Sequence, residues 1–388
     1  MAIETSWTDY LQGSTRLDFM CEGRSVSHVD GIVPVTLRFG IARVRADAIA
    51  GLGTEEGHRR LGYARQVMDA ALSHMMQGDA ALSVLHGIRD FYHRFGYVSA
   101  GPSYMLSVGT TVNAALTMPA GFRSRVCTEE DIPAIQRLYD ANTRDAAGAA
   151  VRPPGGFVWA KLKTSLPADE CRVVEDVQGQ VAAYAWRAHD CWAVRAFERG
   201  GDSNSFTIGE VMAANALAAD AILAACRAWA AEEAVRRNEP IELVHFPQPP
   251  VGPVAAAAKL QQAFSLQRYQ PHGGFMARII NLERLLTALS PELMRRHQES
   301  SLAFSGALSL RTEIGKVSLS LNHGSPAVRN QEISANLSQT GLTRLVFGTS
   351  TPDDVLDREG IGKEDLSRPL FRVLFPPACP HIYLPDQC

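Results

Sequence analysis

The stretch Gly51-Leu52-Gly53-Thr54-Glu55-Glu56-Gly57-His58-Arg59-Arg60-Leu61-Gly62-Tyr63-Ala64-Arg65 runs through residues 66–90 into Phe91-Tyr92-His93-Arg94-Phe95-Gly96-Tyr97, and it decides how the chain is read. Within it, Arg59-x-x-Gly62-x-Ala64 falls where a strand should end and a helix begin. That junction suits a pyrophosphate. Gly62 lets the backbone approach an anion with no side chain in the way, Ala64 is nearly as small, and the unpaired N–H groups of a first helical turn point outward at it. Arginines add charge-assisted contacts. Without an anion, Arg59 and Arg60 would oppose the helix dipole at that end.

Val67, Met68, Ala71, Leu72, Met75 and Met76 recur at three- and four-residue spacing behind the loop, which predicts a helix with one face on a sheet. Ala80 to Leu85 reads as a buried strand, and Phe91 to Arg94 as a short helix stopped by Gly96.

Taken together and at this spacing, Arg59-x-x-Gly62-x-Ala64 and Phe91-Tyr92-x-x-Phe95-Gly96-Tyr97 resemble motifs A and B of the GNAT acyl-CoA N-acetyltransferases. The rest of the chain is similar to the Eis (enhanced intracellular survival) branch of that group. The resemblance implies an α+β chain of tandem GNAT-like domains followed by a sterol-carrier-like α+β domain. Its parts would be residues 1–118 with the acetyl-CoA site, a degenerate copy at 119–287, and 288–388 delivering the C-terminal carboxylate.

Composition fits a globular protein. The 388 residues are 46% hydrophobic and 20% charged, long enough for two or three domains. A formal charge of -3 gives no global attraction to nucleic acid or to an anionic membrane. Seven cysteines are scattered singly, with neither C-x-x-C nor H-E-x-x-H, so neither a zinc site nor a disulfide framework is indicated and a reduced cytoplasmic setting is expected. Met1 to Gly13 lacks an apolar signal core, and Val211 to Ala230 is interrupted by Asn215, Asp220 and Arg227, so it reads as a buried helix and not a membrane span.

Along the chain, Arg16 to Met20 and Ile32 to Phe39 carry strand-like residues, and Asp47 to Gly53 leads into the loop. No amphipathic helix pair precedes the first strands, where GNAT domains place theirs, so the first domain is expected either to be abbreviated at its N-terminus or to start upstream of Met1. A second unit opens at Phe122, with Thr128-x-x-Asp131 as a capping box and Ile132, Ile135, Leu138 and Tyr139 as the stripe behind it. Val173 to Val174, Val181 to Trp186 and Ser205 to Ile208 read as strands, after which Gly209-Glu210-Val211-Met212 is expected to enter a long helix. No R-x-x-G-x-A occurs at that junction, so the second copy should lack a CoA site. Pro247 to Pro253 reads as a stiff turn, and Gln270 to Leu286 resembles the joint between the second and third domains of Eis-like proteins. There Val317, Leu319 and Leu321 alternate with serines, and Leu342 to Phe347 is expected to add a further strand ending at Gly348.

Transfer of an acetyl group to an amine needs an acid for the leaving thiolate and a base for the amine proton. The resemblance assigns the acid to Tyr92, with Tyr97 as its neighbouring decoy, and the base to the α-carboxylate of Cys388. It places acetyl-CoA, as co-substrate, along Leu52, Gly53 and Thr54, on Arg59, Arg60, Leu61, Gly62, Tyr63, Ala64 and Arg65, and at Gly87 and Ile88. No metal is expected. The acceptor would be a primary amine on a small molecule or a side chain, and family analogy implies a homo-oligomer. The alternatives are a non-catalytic GNAT-like binding protein and an apolar-ligand carrier working through the third domain. His28, His58 and His86 are isolated and read as satisfied polar groups, with His28 beside Asp30 near the expected cleft.

Overall fold

The computed structural model describes residues 3–9, 13–110, 117–153, 170–187, 205–322 and 330–387. Its first sheet is built from β1 (Glu4–Asp9), β2 (Thr15–Cys21), β3 (Arg24–Phe39), β4 (Ala42–Thr54), β5 (Leu82–Gly87) and β6 (Val98–Ser99), joined by two strands from later in the chain. The helix α1 (Tyr63–Gln77) connects β4 to β5, which run parallel, as the alternation of strand and helical periodicity requires. Its stripe of Val67, Met68, Ala71, Leu72 and Met75 is buried on one face of this sheet, each larger side chain contributing about 1.5–3 kcal/mol. Among the described residues no α-helix precedes β4, and the antiparallel strands β1 to β4 lead directly into the loop before α1.

Two strands cross between sheets. β7 (Ser103–Gly109) leaves β6 and enters the second sheet, which also contains β8 (Arg123–Val126), β10 (Cys171–Glu175), β11 (Val181–Arg187), β12 (Ser205–Ala213), β13 (Leu243–Phe246) and β14 (Ala263–Arg268). In exchange β15 (Gly274–Ile279), from the stretch expected as a joint, lies antiparallel to β5 and pairs with β6 on its other edge. The short β9 (Ala147–Ala150) prolongs the edge of β3 beyond β2. Order within the second sheet is β14-β7-β13-β12-β11-β10-β8. It repeats the first, because β12 and β13 are parallel like β4 and β5.

Several local expectations hold, and two need correction. The capping box at Thr128 and Asp131 forms in both directions ahead of α2 (Ile132–Asn142). Gly209 to Met212 does not enter a helix: these residues belong to β12, where cross-strand partners on β11 override helical spacing. The helix α3 (Ala216–Arg237) starts after Asn215, whose side chain accepts from the Ala218 N–H. Leu342 to Phe347 is likewise helical, in α6 (Gln339–Phe347), because Ser338 caps its first turn and a Gly348 at φ 67° closes it. Before it come α4 (Gly252–Lys259) and α5 (Leu282–Glu299), and after it α7 (Pro352–Arg358) and α8 (Ser367–Leu374).

The last unit sets β16 (Ser305–Thr312), β17 (Gly315–Leu321) and β18 (Asn330–Asn336) in one small sheet. Leu285, Leu289, Leu308, Leu342, Phe371 and their neighbours share a single core with Val35, Leu37, Val44 and Val84 of the first sheet. The third unit therefore covers the face that α1 leaves free.

Candidate active site

The β4–β5 ladder runs from Ala46 opposite Leu82 to Ile49 opposite Leu85 and ends there. β4 continues to Thr54, still paired with β3, while β5 continues only to Gly87 and is paired with β15. Two parallel strands that part company leave a wedge between them. On the β4 side, Gly53 turns its carbonyl to the Ser27 hydroxyl of β3, and strand alternation then points the N–H and C=O of Leu52 and Thr54 into the wedge. Leu52 and Thr54 thus lie on the side of β4 that faces the wedge, while Gly53 faces β3.

The wedge leads to the loop before α1. Arg60 at φ 65° and Gly62 at φ 84° both take the left-handed conformation, and such alternation turns successive N–H groups to one side. Among the described residues, none accepts a hydrogen bond from the backbone N–H of Arg60, Leu61, Gly62, Tyr63, Ala64 or Arg65; the first intrahelical bond is Gln66 N–H to the Gly62 carbonyl. These are the orphan donors of a helix start, here without the side-chain cap that would otherwise satisfy them. Arg59 bends back, its Nε donating to the Thr54 carbonyl at 3.2 Å. Arg59, Arg60 and Arg65 are all exposed.

On the β5 side stands Tyr92. It opens a short 3-10 turn, Tyr92–Phe95, that Gly96 ends at φ 77°. Its ring packs edge-on to Phe91 and Tyr97 and lies so close to Gly87 that a Cβ there would sit 2.7 Å from it. Glycine at 87 is what lets the phenol reach the strand end. Burial pushes the Tyr92 hydroxyl up to about 12. No described residue hydrogen-bonds that hydroxyl. Tyr97 is different: fully buried, it exchanges a 2.6 Å hydrogen bond with Ser83 and has no access to the wedge. Ile88 is exposed at the strand end.

Residues that sequence spacing did not single out complete the surroundings. A cavity of about 610 Å³ beside the loop is lined by Arg65, Asp69, Phe91, Arg94, Phe95, Gly96 and Arg278. Arg94 lies inside the quoted motif and could have been found there as its fourth arginine. Arg278 could not, because it is brought here only by the strand exchange, its Nη1 donating to the Phe95 carbonyl at 2.6 Å. His28 pairs in register with Gly53, its Nε2 3.8 Å from Asp30 Oδ1. His86 is stacked on Phe275, and burial lowers it to about 4, so it is neutral near pH 7.

Cys388 lies outside the described residues. The tail leading to it is firmly held. Asp386 is completely buried and accepts from Arg152 Nε and Nη2, both at 2.9 Å, and from the Tyr139 hydroxyl at 3.1 Å. Arg152 in turn forks onto Glu210 at 3.0 and 2.5 Å, and Tyr184 donates to the same carboxylate at 2.6 Å. Although burial favours neutral guanidine, Asp386 and Glu210 hold Arg152 charged. Ile382 and Asp386 lie against Val35, Leu37, Ala48, Val84, Leu85, His86 and Ala150, that is, at the last rungs of the β4–β5 ladder.

Residues 2–100 match the family model described as an acetyltransferase (GNAT) domain. Among solved structures, the chain is similar to a GCN5-related N-acetyltransferase from Anabaena variabilis, with TM-score 0.67 and 18% identity, covering 96% of this chain and 89% of that one. One from Kribbella flavida gives 0.63 and 19%, covering 95% and 87%. Eis1 from Mycobacterium abscessus gives 0.61 and 15%, covering 95% and 89%. At these identities the likeness is one of fold. No curated protein matches the sequence. The class defined by these likenesses is therefore the GNAT fold, with residues 2–100 matching a GNAT acetyltransferase domain. Among the described residues no helix is long and apolar enough to cross a membrane.

Proposed function

We propose that this protein moves an acetyl group from acetyl-CoA to a primary amine by direct attack in a ternary complex. The observation that carries the reading is the open wedge between β4 and β5, with unpaired N–H groups at the α1 end and the Tyr92 ring packed at the Gly87 end of β5. In this reading the pantetheine arm adds as a strand to Leu52–Thr54, the diphosphate rests on the N–H groups from Arg60 to Arg65, and Arg65, Arg94 and Arg278 face the nucleotide end. Gly87 and Ile88 border the thioester.

Tyr92 gives its proton to the departing thiolate. A phenol near 12 facing a thiol of ordinary pKa ~8.5 would transfer uphill by roughly 5 kcal/mol. The same burial raises the thiol, which narrows that gap. The base is the terminal carboxylate of Cys388, supported by the docked tail: two residues beyond Asp386 span at most about 7 Å, from an anchor at the mouth of the wedge. His86, neutral and adjacent, adds no competing charge.

The Eis-like assignment, the three domains at 1–118, 119–287 and 288–388, the sterol-carrier-like character of the third unit and a cytoplasmic home belong to the same proposal. The helix-plus-sheet make-up of the third unit supports it. That unit's apolar side chains are engaged in a core shared with the first sheet, which favours a structural role over carriage of an apolar ligand. The likeness of fold to Eis1 of Mycobacterium abscessus supports this reading.

The test is thiol release over a panel of amines by the native chain, Tyr92→Phe, and a form lengthened by a few residues after Cys388. Loss of turnover in the lengthened form, with acetyl-CoA binding retained, is expected. Normal turnover there would remove the base assignment.

A further inference from the structure

Tyr92 is bracketed by two groups with metal-binding chemistry. Asp90 precedes it by two residues, His93 follows it directly, and the turn between β14 and β15 brings His272 against both. One donor atom from each of the three side chains lies within 4.8 Å of the other two. His272 Nδ1 stands 3.2 Å from Asp90 Oδ1, close to the separation of two ligands on a tetrahedral ion whose bonds are about 2.0–2.2 Å. The His93 and His272 rings stack at 4.4 Å and 21°, so one ring has to turn for both to meet a single ion in their planes. A backbone bond from Asp90 N–H to the His272 carbonyl at 3.0 Å fixes the two loops relative to each other. His93 Nδ1 is buried and has no hydrogen-bond partner among the described residues, the kind of orphan that calls for a reason. The other oxygen of Asp90 faces the exposed Arg89, whose Nε is 3.3 Å away.

We infer that Asp90, His93 and His272 form a site for a borderline divalent cation of the Zn²⁺ type. Two imidazoles and one carboxylate suit such an ion and not Mg²⁺, which prefers oxygen ligands and keeps its waters. Three protein ligands leave a fourth position for water. Occupancy would clamp the loop carrying Tyr92 to the β14–β15 turn, and so couple metal level to the rigidity of the proposed acid. Arg89 limits affinity by its charge, so the cation would exchange instead of being a permanent part of the fold.

The experiment is competition for Zn²⁺ against a chromophoric chelator, using the full chain stripped of metal, with Mg²⁺ as the comparison ion. It reads metal binding alone and does not depend on acetyl transfer. The native chain should take up one equivalent of Zn²⁺ and no Mg²⁺. His93→Ala, His272→Ala and Asp90→Asn should each weaken uptake at least tenfold, while His74→Ala on α1 leaves it unchanged. Melting curves check that the variants are folded, and His93→Gln replaces any that is not. Failure of the native chain to bind, or equal binding by the native and His93 variants, overturns the site. The second result would mean that the 3.2 Å contact is only a hydrogen bond between His272 and Asp90.

Discussion

The two strand-to-helix junctions of this molecule share a topology and end oppositely. At β4–α1 the parallel ladder stops at Ile49, eight residues intervene before the helix, and no group among the described residues accepts from the first-turn N–H groups. At β12–α3 the ladder likewise stops, after Thr207 opposite His245, but only Ala214 and Asn215 intervene, and Asn215 caps the helix from within. The second opening is also occupied. Glu210, on the continuing part of β12, binds Arg152 and through it Asp386 of the tail, so protein groups stand where the first junction leaves space. Parting strands are a property of the fold; whether they become a ligand site depends on what the next few residues do with the freed backbone.

The comparison can be broken most severely at Arg152. Arg152→Met leaves two carboxylates facing each other in the interior, and a loss of about 3–5 kcal/mol is expected in denaturant unfolding. A cost below 1 kcal/mol would mean that the second opening does not need its plug. At the first junction, Tyr92→Phe should lower kcat about 100-fold or more at unchanged KM for acetyl-CoA. Because burial holds the Tyr92 hydroxyl near 12, it keeps its proton through the ordinary assay range, and native turnover should show no loss between about pH 7 and 10 from this group. A basic limb that Tyr92→Phe abolished would contradict this.

Gly62→Ala sharpens the contrast from the loop side. A Cβ at φ 84° costs roughly 1–2 kcal/mol, which should appear as about tenfold weaker acetyl-CoA binding by calorimetry and only a small change in melting temperature. Asn215→Ala gives the smallest effect: about 1 kcal/mol of stability from the lost cap, with acetyl-CoA binding untouched. Acid should act on the second unit as well. Asp131 is held below the usual carboxylate range by the Arg125 guanidinium, so its contribution is present above the unfolded carboxylate pKa and is lost as pH falls through the depressed folded value.

The candidate site was legible in the sequence wherever it is local. Arg59 to Arg65, Gly87, Tyr92 and Gly96 act through backbone conformation within a few residues of themselves, and the periodicity of α1 gave its buried face directly. Gly209 to Met212 and Leu342 to Phe347 were misread because short apolar runs do not distinguish strand from helix without their neighbours or caps. Long-range partners were invisible for a different reason. The stretch that forms β7 carries no signal that singles it out and that of β15 reads as a joint, and nothing in their composition says which sheet each completes.

Sequence by itself determined the arginine- and glycine-bearing turn before α1, the short aromatic turn carrying Tyr92 and the missing counterpart in the second copy, because each follows from residue type and spacing along one short segment. Tertiary structure alone decided that β15 carries Arg278 to the first site, that Tyr97 is sealed against Ser83 while Tyr92 is not, and that Asp386 anchors the tail through Arg152. Those outcomes depend on which buried charges and strand edges find partners far along the chain, and desolvation fixes them only once the whole core has closed.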